Sequence, residues 1–128
     1  VLIDFQGMRP GSLFYDLASL LYDPYAAMAE DERTALLFYY YERTGTSLTW
    51  PSFYERFRDA SAQRLMQALG AYGFLGRVKG RPDFLCHIPG ALRYLEETTA
   101  KNGRLPLLHA LASRCRKTAV GIAGLNPS

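Results

Sequence analysis

The chain has 128 residues, 48% of them hydrophobic, and a formal net charge of +3. This length and composition are typical of one folded domain with an apolar core. No run of about 18 apolar residues is present, so no membrane-spanning helix is expected, and no basic-then-apolar leader marks a secretory signal. Cys86 and Cys115 lie in different segments, which favours reduced thiols in a cytoplasmic protein over a disulfide.

The first residues predict a short β-strand over 1–5, because branched and aromatic residues surround one acidic residue there. Gly7, Pro10 and Gly11 then predict a turn. Because the chain opens directly on this strand, we expect a preceding segment that belongs to the same protein. A strand without its neighbour exposes unpaired backbone groups, so we also expect this edge to support a homo-oligomer.

The rest of the chain predicts helices. Apolar residues recur at helical spacing, and proline, glycine and acidic residues stand at the expected ends. The predicted helical ranges are 13–22, 31–43, 51 to 70 or 75, 83–87, 89–101 and 106–117. Residues 118–128 are interpreted as a tail or linker. The sequence therefore predicts one mainly α domain over residues 1–117.

Two carboxylates interrupt the apolar pattern. Asp4 lies inside the predicted strand, where a carboxylate needs a partner: either a metal ion at the strand's end, or the turn that Asp4 would cap. The predicted apolar face of the first helix is Leu13, Leu17, Leu20 and Leu21. Asp16 falls within the angular range of the first three, so it is predicted to face inward or nearly so. There it would accept hydrogen bonds from a loop or an arginine, which is a structural role; direct participation in chemistry is the alternative.

Other residues are candidates for a polar site. Arg64 falls on the apolar stripe of the third helix and is predicted to pair with Asp16 or Asp23, with substrate binding as the alternative. Asp23 and Tyr25 flank a proline, which suits a turn, although the same residues could line a polar pocket. His87 has no acid or nucleophile at motif spacing, which predicts an ordinary structural residue.

Residues 101–117 carry a run of basic side chains without an acidic one: Lys101, Arg104, Arg114, Arg116 and Lys117. A nucleic-acid surface is one interpretation. No aromatic residue interleaves with these charges, which argues against base stacking. The pattern therefore favours a solvated basic face, and no nucleic acid is expected as a partner.

Residues 1–11 read Val-Leu-Ile-Asp-Phe-Gln-Gly-Met-Arg-Pro-Gly, and residues 14–21 read Phe-Tyr-Asp-Leu-Ala-Ser-Leu-Leu. An Ile-Asp-Phe strand end, a glycine turn and an Asp-Leu-Ala helix start resemble the aminoglycoside phosphotransferase and choline kinase superfamily. Gln6, Asp23-Pro24-Tyr25, the stretch 63–66 and Ile88-Pro89 are similar to one branch of it. That branch includes bacterial cell-wall sugar kinases that phosphorylate N-acetylmuramate and N-acetylglucosamine at the anomeric position.

The resemblance implies the helical C-terminal lobe of a protein-kinase-like fold, in a protein that transfers phosphate from ATP to a sugar or similar hydroxyl compound. It implies that Asp4 binds the Mg²⁺ that bridges the ATP phosphates, and that Asp16 supports the catalytic loop. The catalytic base, the second metal ligand and the ATP-contacting lobe would precede Val1. The chain alone is therefore expected to be inactive.

The alternative function is a stand-alone helical interaction or regulatory module derived from the kinase fold. Its contact surface would be the basic face over residues 101–117. The two hypotheses differ in whether a catalytic loop and an ATP-binding lobe precede the strand.

Overall fold

The computed structural model describes residues 13–101 and 103–125, with side chains to residue 119. Short connections join five helices: α1 (Leu13–Leu21), α2 (Glu30–Thr44), α3 (Trp50–Gly73), α4 (Ile88–Ala100) and α5 (Pro106–Leu125). The predicted mainly α fold is confirmed for these ranges. None of the helices described here combines the length and the apolar character needed to cross a membrane. The predicted strand, its dimerising edge and Asp4 lie outside the described residues.

Helix α1 packs through a different stripe from the predicted one. The inward residues are Phe14, Leu17, Ala18 and Leu21, which recur at helical spacing. Leu13 and Leu20 are exposed, and so is Asp16, which lies on the opposite side of the helix from the packed stripe. The prediction that Asp16 faces inward is therefore wrong, because the stripe through Leu13 and Leu20 is rotated about the helix axis from the one that meets the core.

Helix α2 begins and ends at residues whose chemistry favours those positions. Acidic residues 30–32 occupy its first turn, where carboxylates interact favourably with the helix dipole. Glu32 also accepts a hydrogen bond at 3.2 Å from the backbone N–H just before the helix. Gly45 follows the last turn with φ of 64°, a left-handed conformation that glycine adopts at little cost. Both ends agree closely with the prediction.

Helix α3 is the longest helix described and contacts α1, α2 and α4. Its start is capped by Thr49, whose hydroxyl accepts the Ser52 N–H at 3.4 Å, and Pro51 lies in the first turn. After Gly73 the chain continues as a π-helical turn, Phe74–Val78, and a 3₁₀ turn, Pro82–His87. The second of these confirms the short helical piece predicted near 83–87.

The core consists of two clusters that share α3. The first cluster contains Ala18, Leu21, Leu37, Phe53 and Phe57. The second contains Ala62, Leu65, Ala91, Tyr94, Leu95 and Ala112. Tyr22, just after α1, packs against both clusters. The segment that follows α1 is thereby held where the two halves of the core meet.

Helix α5 continues to Leu125, so the predicted end near 117 is wrong. No proline interrupts the chain between Pro106 and Pro127, and the two glycines within the last turns do not end the helix. Several basic side chains of 101–117 pair with carboxylates of other helices: Lys101 with Glu30, Arg104 with Glu55 and Asp59, and Arg116 with Glu96. Tertiary contacts therefore neutralise much of the predicted basic face.

Candidate binding cavity

A cavity of about 190 Å³ lies between α1, the loop after it, α3, the 3₁₀ turn and α4. We call it the central cavity. Its apolar lining includes Ala18, Leu65, Ala68 and Ala91. Its main polar lining residues are Ser19, Tyr22, Arg64, Tyr72, His87 and Arg93. An apolar concave surface with a few polar groups is the usual form of a small-molecule site.

Arg64 is held at the cavity wall by Ser19. The Ser19 hydroxyl donates to the Tyr15 carbonyl at 3.0 Å and accepts from Arg64 Nε at 2.8 Å. The predicted ion pair of Arg64 with Asp16 or Asp23 does not form, because Asp16 faces away from the core and the Asp23 side chain is used in a turn. Within the described residues, no hydrogen-bond acceptor contacts the two terminal nitrogens of Arg64.

The loop after α1 is a tight turn organised by Asp23. The Asp23 carboxylate accepts the Tyr25 N–H at 2.8 Å, and the Asp23 carbonyl accepts the N–H groups of Ala26 and Ala27 at 3.2 Å. The turn interpretation of Asp23 is confirmed. Ala27 lines the cavity with a φ of 47°, which is uncommon outside glycine. Tyr25 is exposed, and its ring lies 5.2 Å from the His87 ring at the edge of the cavity.

Tyr72 and His87 form an aromatic wall of the cavity. Their ring centroids are 5.4 Å apart. Burial raises the pKa of Tyr72, and the positive charge of Arg64 partly opposes that shift. The Tyr72 hydroxyl is therefore a neutral hydrogen-bonding group near pH 7. His87 ends the 3₁₀ turn and packs against two tyrosine rings, which agrees with the structural role that the sequence predicts. Tyr72 and Arg64 become its neighbours in the cavity lining through the fold.

Arg33 supports the cavity from behind. It is 5% exposed, and its guanidinium carbon lies 4.5 Å from the centroid of the Tyr22 ring and 4.8 Å from that of Tyr94. Both rings line the cavity. Arg33 Nη1 donates to the Met28 carbonyl at 2.8 Å, and Nη2 lies 3.8 Å from Glu97. Nothing in the mostly polar sequence of α2 marks this arginine as buried.

No metal-binding cluster of three or more His, Cys, Asp or Glu side chains occurs in the part of the chain that the structure describes. Asp4, to which the sequence resemblance assigns Mg²⁺, lies outside that part. Its metal role and the supporting role of Asp16 therefore stay predictions.

The described residues form a helical domain with a cavity between α1, α3 and α4. The N-acetylmuramate/N-acetylglucosamine kinase of Pseudomonas aeruginosa is 29% identical over 114 residues, which cover 85% of this chain and 34% of that kinase. The kinase of the same description from Neisseria meningitidis is 30% identical over 114 residues, with the same coverage. The chain spans about a third of the length of these curated relatives, and the similarity supports a relation to sugar kinases. No family model and no solved structure matches the chain.

Proposed function

We propose that this chain is the helical C-terminal part of an ATP-dependent sugar kinase, and that the central cavity contributes to binding of the acceptor sugar. The observation that carries the proposal is the similarity of 85% of the chain to two kinases of N-acetylmuramate and N-acetylglucosamine. The cavity adds support, because polar groups around an apolar floor suit a molecule with hydroxyl groups and apolar ring faces. Its volume of about 190 Å³ is below the roughly 300–1,000 Å³ of complete ligand pockets, as expected if another part of the protein completes the site.

In the proposed reaction, a sugar hydroxyl oxygen attacks the γ-phosphorus of ATP while the bond to the β,γ-bridging oxygen breaks, and ADP leaves. The hydroxyl proton passes to a base that we expect upstream of Val1. Positioning and electrostatics supply most of the rate in reactions of this kind. The proposed contribution of the central cavity is to orient the sugar, with Arg64 as a donor and with Tyr72 and His87 as further hydrogen-bonding groups.

Asp4 and Asp16 have proposed supporting roles in that reaction. Mg²⁺ bound with the help of Asp4 would neutralise negative charge on the phosphates. The exposed position of Asp16, on the side of α1 opposite the core, favours a role in supporting the catalytic loop, because its carboxylate is accessible to a segment outside the helical core. A cytoplasmic location, where ATP is available, is part of the same proposal.

The alternative of a stand-alone interaction module rests on the basic face over 101–117. Three of its basic residues pair with carboxylates of the same molecule. These ion pairs leave less free charge for a partner, so the kinase proposal is preferred.

The test is ATP consumption by the longer polypeptide that would contain this chain, with N-acetylmuramate, with N-acetylglucosamine and without sugar. We expect sugar-dependent formation of ADP, its near loss in an Asp4→Asn variant, and no turnover by residues 1–128 alone. An Asp31→Asn variant, at an exposed position of α2, is the matched control. Full activity of Asp4→Asn would overturn the metal assignment, and no sugar-dependent ADP from the longer polypeptide would overturn the kinase proposal.

A further inference from the structure

A row of three aromatic rings leads from the wall of the central cavity to its open edge. The ring centroids of Tyr72 and His87 are 5.4 Å apart, and those of His87 and Tyr25 are 5.2 Å apart. Tyr72 and His87 line the cavity, whereas Tyr25 is not one of its lining residues. Tyr25 is therefore the outer end of the row.

Tyr25 is 81% exposed, although the turn that carries it is well defined. Its backbone N–H donates to the Asp23 carboxylate at 2.8 Å, and the Asp23 carbonyl accepts the N–H groups of Ala26 and Ala27 at 3.2 Å. A tyrosine ring turns about only two side-chain torsions, so little conformational entropy is lost when a ligand covers it. The turn therefore holds an open aromatic surface beside the mouth of the cavity.

The size of the cavity argues that a ligand on Tyr25 extends out of it. Its volume of about 190 Å³ is small beside the roughly 300–1,000 Å³ of complete ligand pockets. One sugar ring inside the cavity would contact the wall at Tyr72 and His87 and leave Tyr25 uncovered. A single exposed aromatic residue is common on protein surfaces, but Tyr25 continues a row of rings that begins inside the cavity. The apolar face of a second ring would lose contact with water by packing on it.

We infer that the mouth of the central cavity, formed by His87 and Tyr25, is a second sugar subsite, and that the site takes a saccharide of two linked rings. The inner ring lies in the cavity, and the outer ring packs on Tyr25. Tyr25 is then the residue that determines specificity for the length of the saccharide. This inference rests on the proposed function, since it extends the acceptor at the same site.

The deciding experiment compares the affinity for N-acetylglucosamine with the affinity for its β-1,4-linked dimer. Both are measured by titration calorimetry, without ATP, on the longer polypeptide that would contain this chain. We expect the dimer to bind about tenfold more tightly, which corresponds to about 1.4 kcal/mol. Tyr25→Ala should remove this advantage and leave the affinity for the single sugar unchanged, whereas Tyr25→Phe should keep the advantage because the ring is retained. Tyr39→Ala, at an exposed tyrosine of α2, is the matched control and should change neither affinity.

Equal affinity of the wild type for the two saccharides, no binding of the dimer, or an undiminished advantage of the dimer in Tyr25→Ala would each overturn the inference. Circular dichroism establishes whether each variant is folded. If Tyr25→Ala does not fold, Tyr25→Leu, which keeps an apolar side chain but removes the ring, decides by the same criterion. Failure of the kinase proposal is recognised separately: the longer polypeptide then forms no sugar-dependent ADP, whatever its preference between the two saccharides.

Discussion

Replacement of Arg33 by alanine tests how strongly the fold depends on one buried charge. The guanidinium donates to the Met28 carbonyl at 2.8 Å, lies over the rings of Tyr22 and Tyr94, and faces Glu97 at 3.8 Å. With Arg33 only 5% exposed, bulk water has little access to replace these contacts. The alanine variant leaves the Met28 carbonyl without this donor and opens space behind two tyrosines of the cavity wall.

The contacts set the expected magnitude. A hydrogen bond to a charged group contributes about 1.5–3 kcal/mol, and a desolvated cation–π contact contributes roughly 2 kcal/mol. These terms are not additive, and the desolvation of the guanidinium offsets them by several kcal/mol. Glu97 is 37% exposed, so its carboxylate stays solvated when Arg33 is removed. We therefore expect Arg33→Ala to lower the free energy of unfolding by about 1.5–3 kcal/mol.

Urea denaturation followed by circular dichroism measures the effect. Arg43→Ala is the matched control. Arg43 is also on α2, and its guanidinium carbon lies 3.5 Å from the centroid of the Tyr39 ring. Unlike Arg33, Arg43 is exposed. Its replacement should change the free energy of unfolding by no more than about 0.5 kcal/mol. A loss below about 1 kcal/mol for Arg33→Ala, or equal losses in the two variants, would refute the reasoning.

Two further substitutions test local features of the core. In Gly76→Ala the new Cβ would overlap the side chain of Leu85, so we expect the free energy of unfolding to fall by about 1–3 kcal/mol, and Leu85→Ala should partly restore it. Wild-type thermal stability of Gly76→Ala would contradict this expectation. The second substitution concerns Tyr22, whose pKa is raised by burial above its ordinary value of 10.0. Above pH 10.0 the folded chain therefore binds more protons than the unfolded chain. The free energy of unfolding then falls as the pH rises through the pKa of the folded state. The Tyr22→Phe variant should lose this alkaline destabilisation. The Tyr39→Phe variant, at an exposed position, should keep it. If wild type and Tyr22→Phe show the same dependence of unfolding free energy on pH between pH 9 and 12, the assignment to Tyr22 is wrong.

Local chemistry determined the helical content of this protein. The acidic start of α2, Gly45 after its end and Pro51 at the start of α3 act within one turn of the chain. Their effect can be read from neighbouring residues alone, and the predicted bounds of α2 agree with the structure within about one residue. The end of α5 was less predictable, because glycine only weakens a helix, and no proline stops this one before Leu125.

Contacts between distant segments decided the site. Arg64 and Ser19 are 45 residues apart, and their hydrogen bond depends on how α1 packs on α3. The orientation of Asp16 depends on the same packing. Helix α1 meets the core through Phe14, Ala18 and Leu21, which leaves Asp16 at the surface instead of in the predicted interior. Arg33 and His87 gain their aromatic neighbours only when the helices assemble. Helical spacing therefore identified a helical chain, and short motifs carried its resemblance to sugar kinases. The central cavity arose from packing, because helical periodicity specifies which face is apolar but not which residues that face will meet.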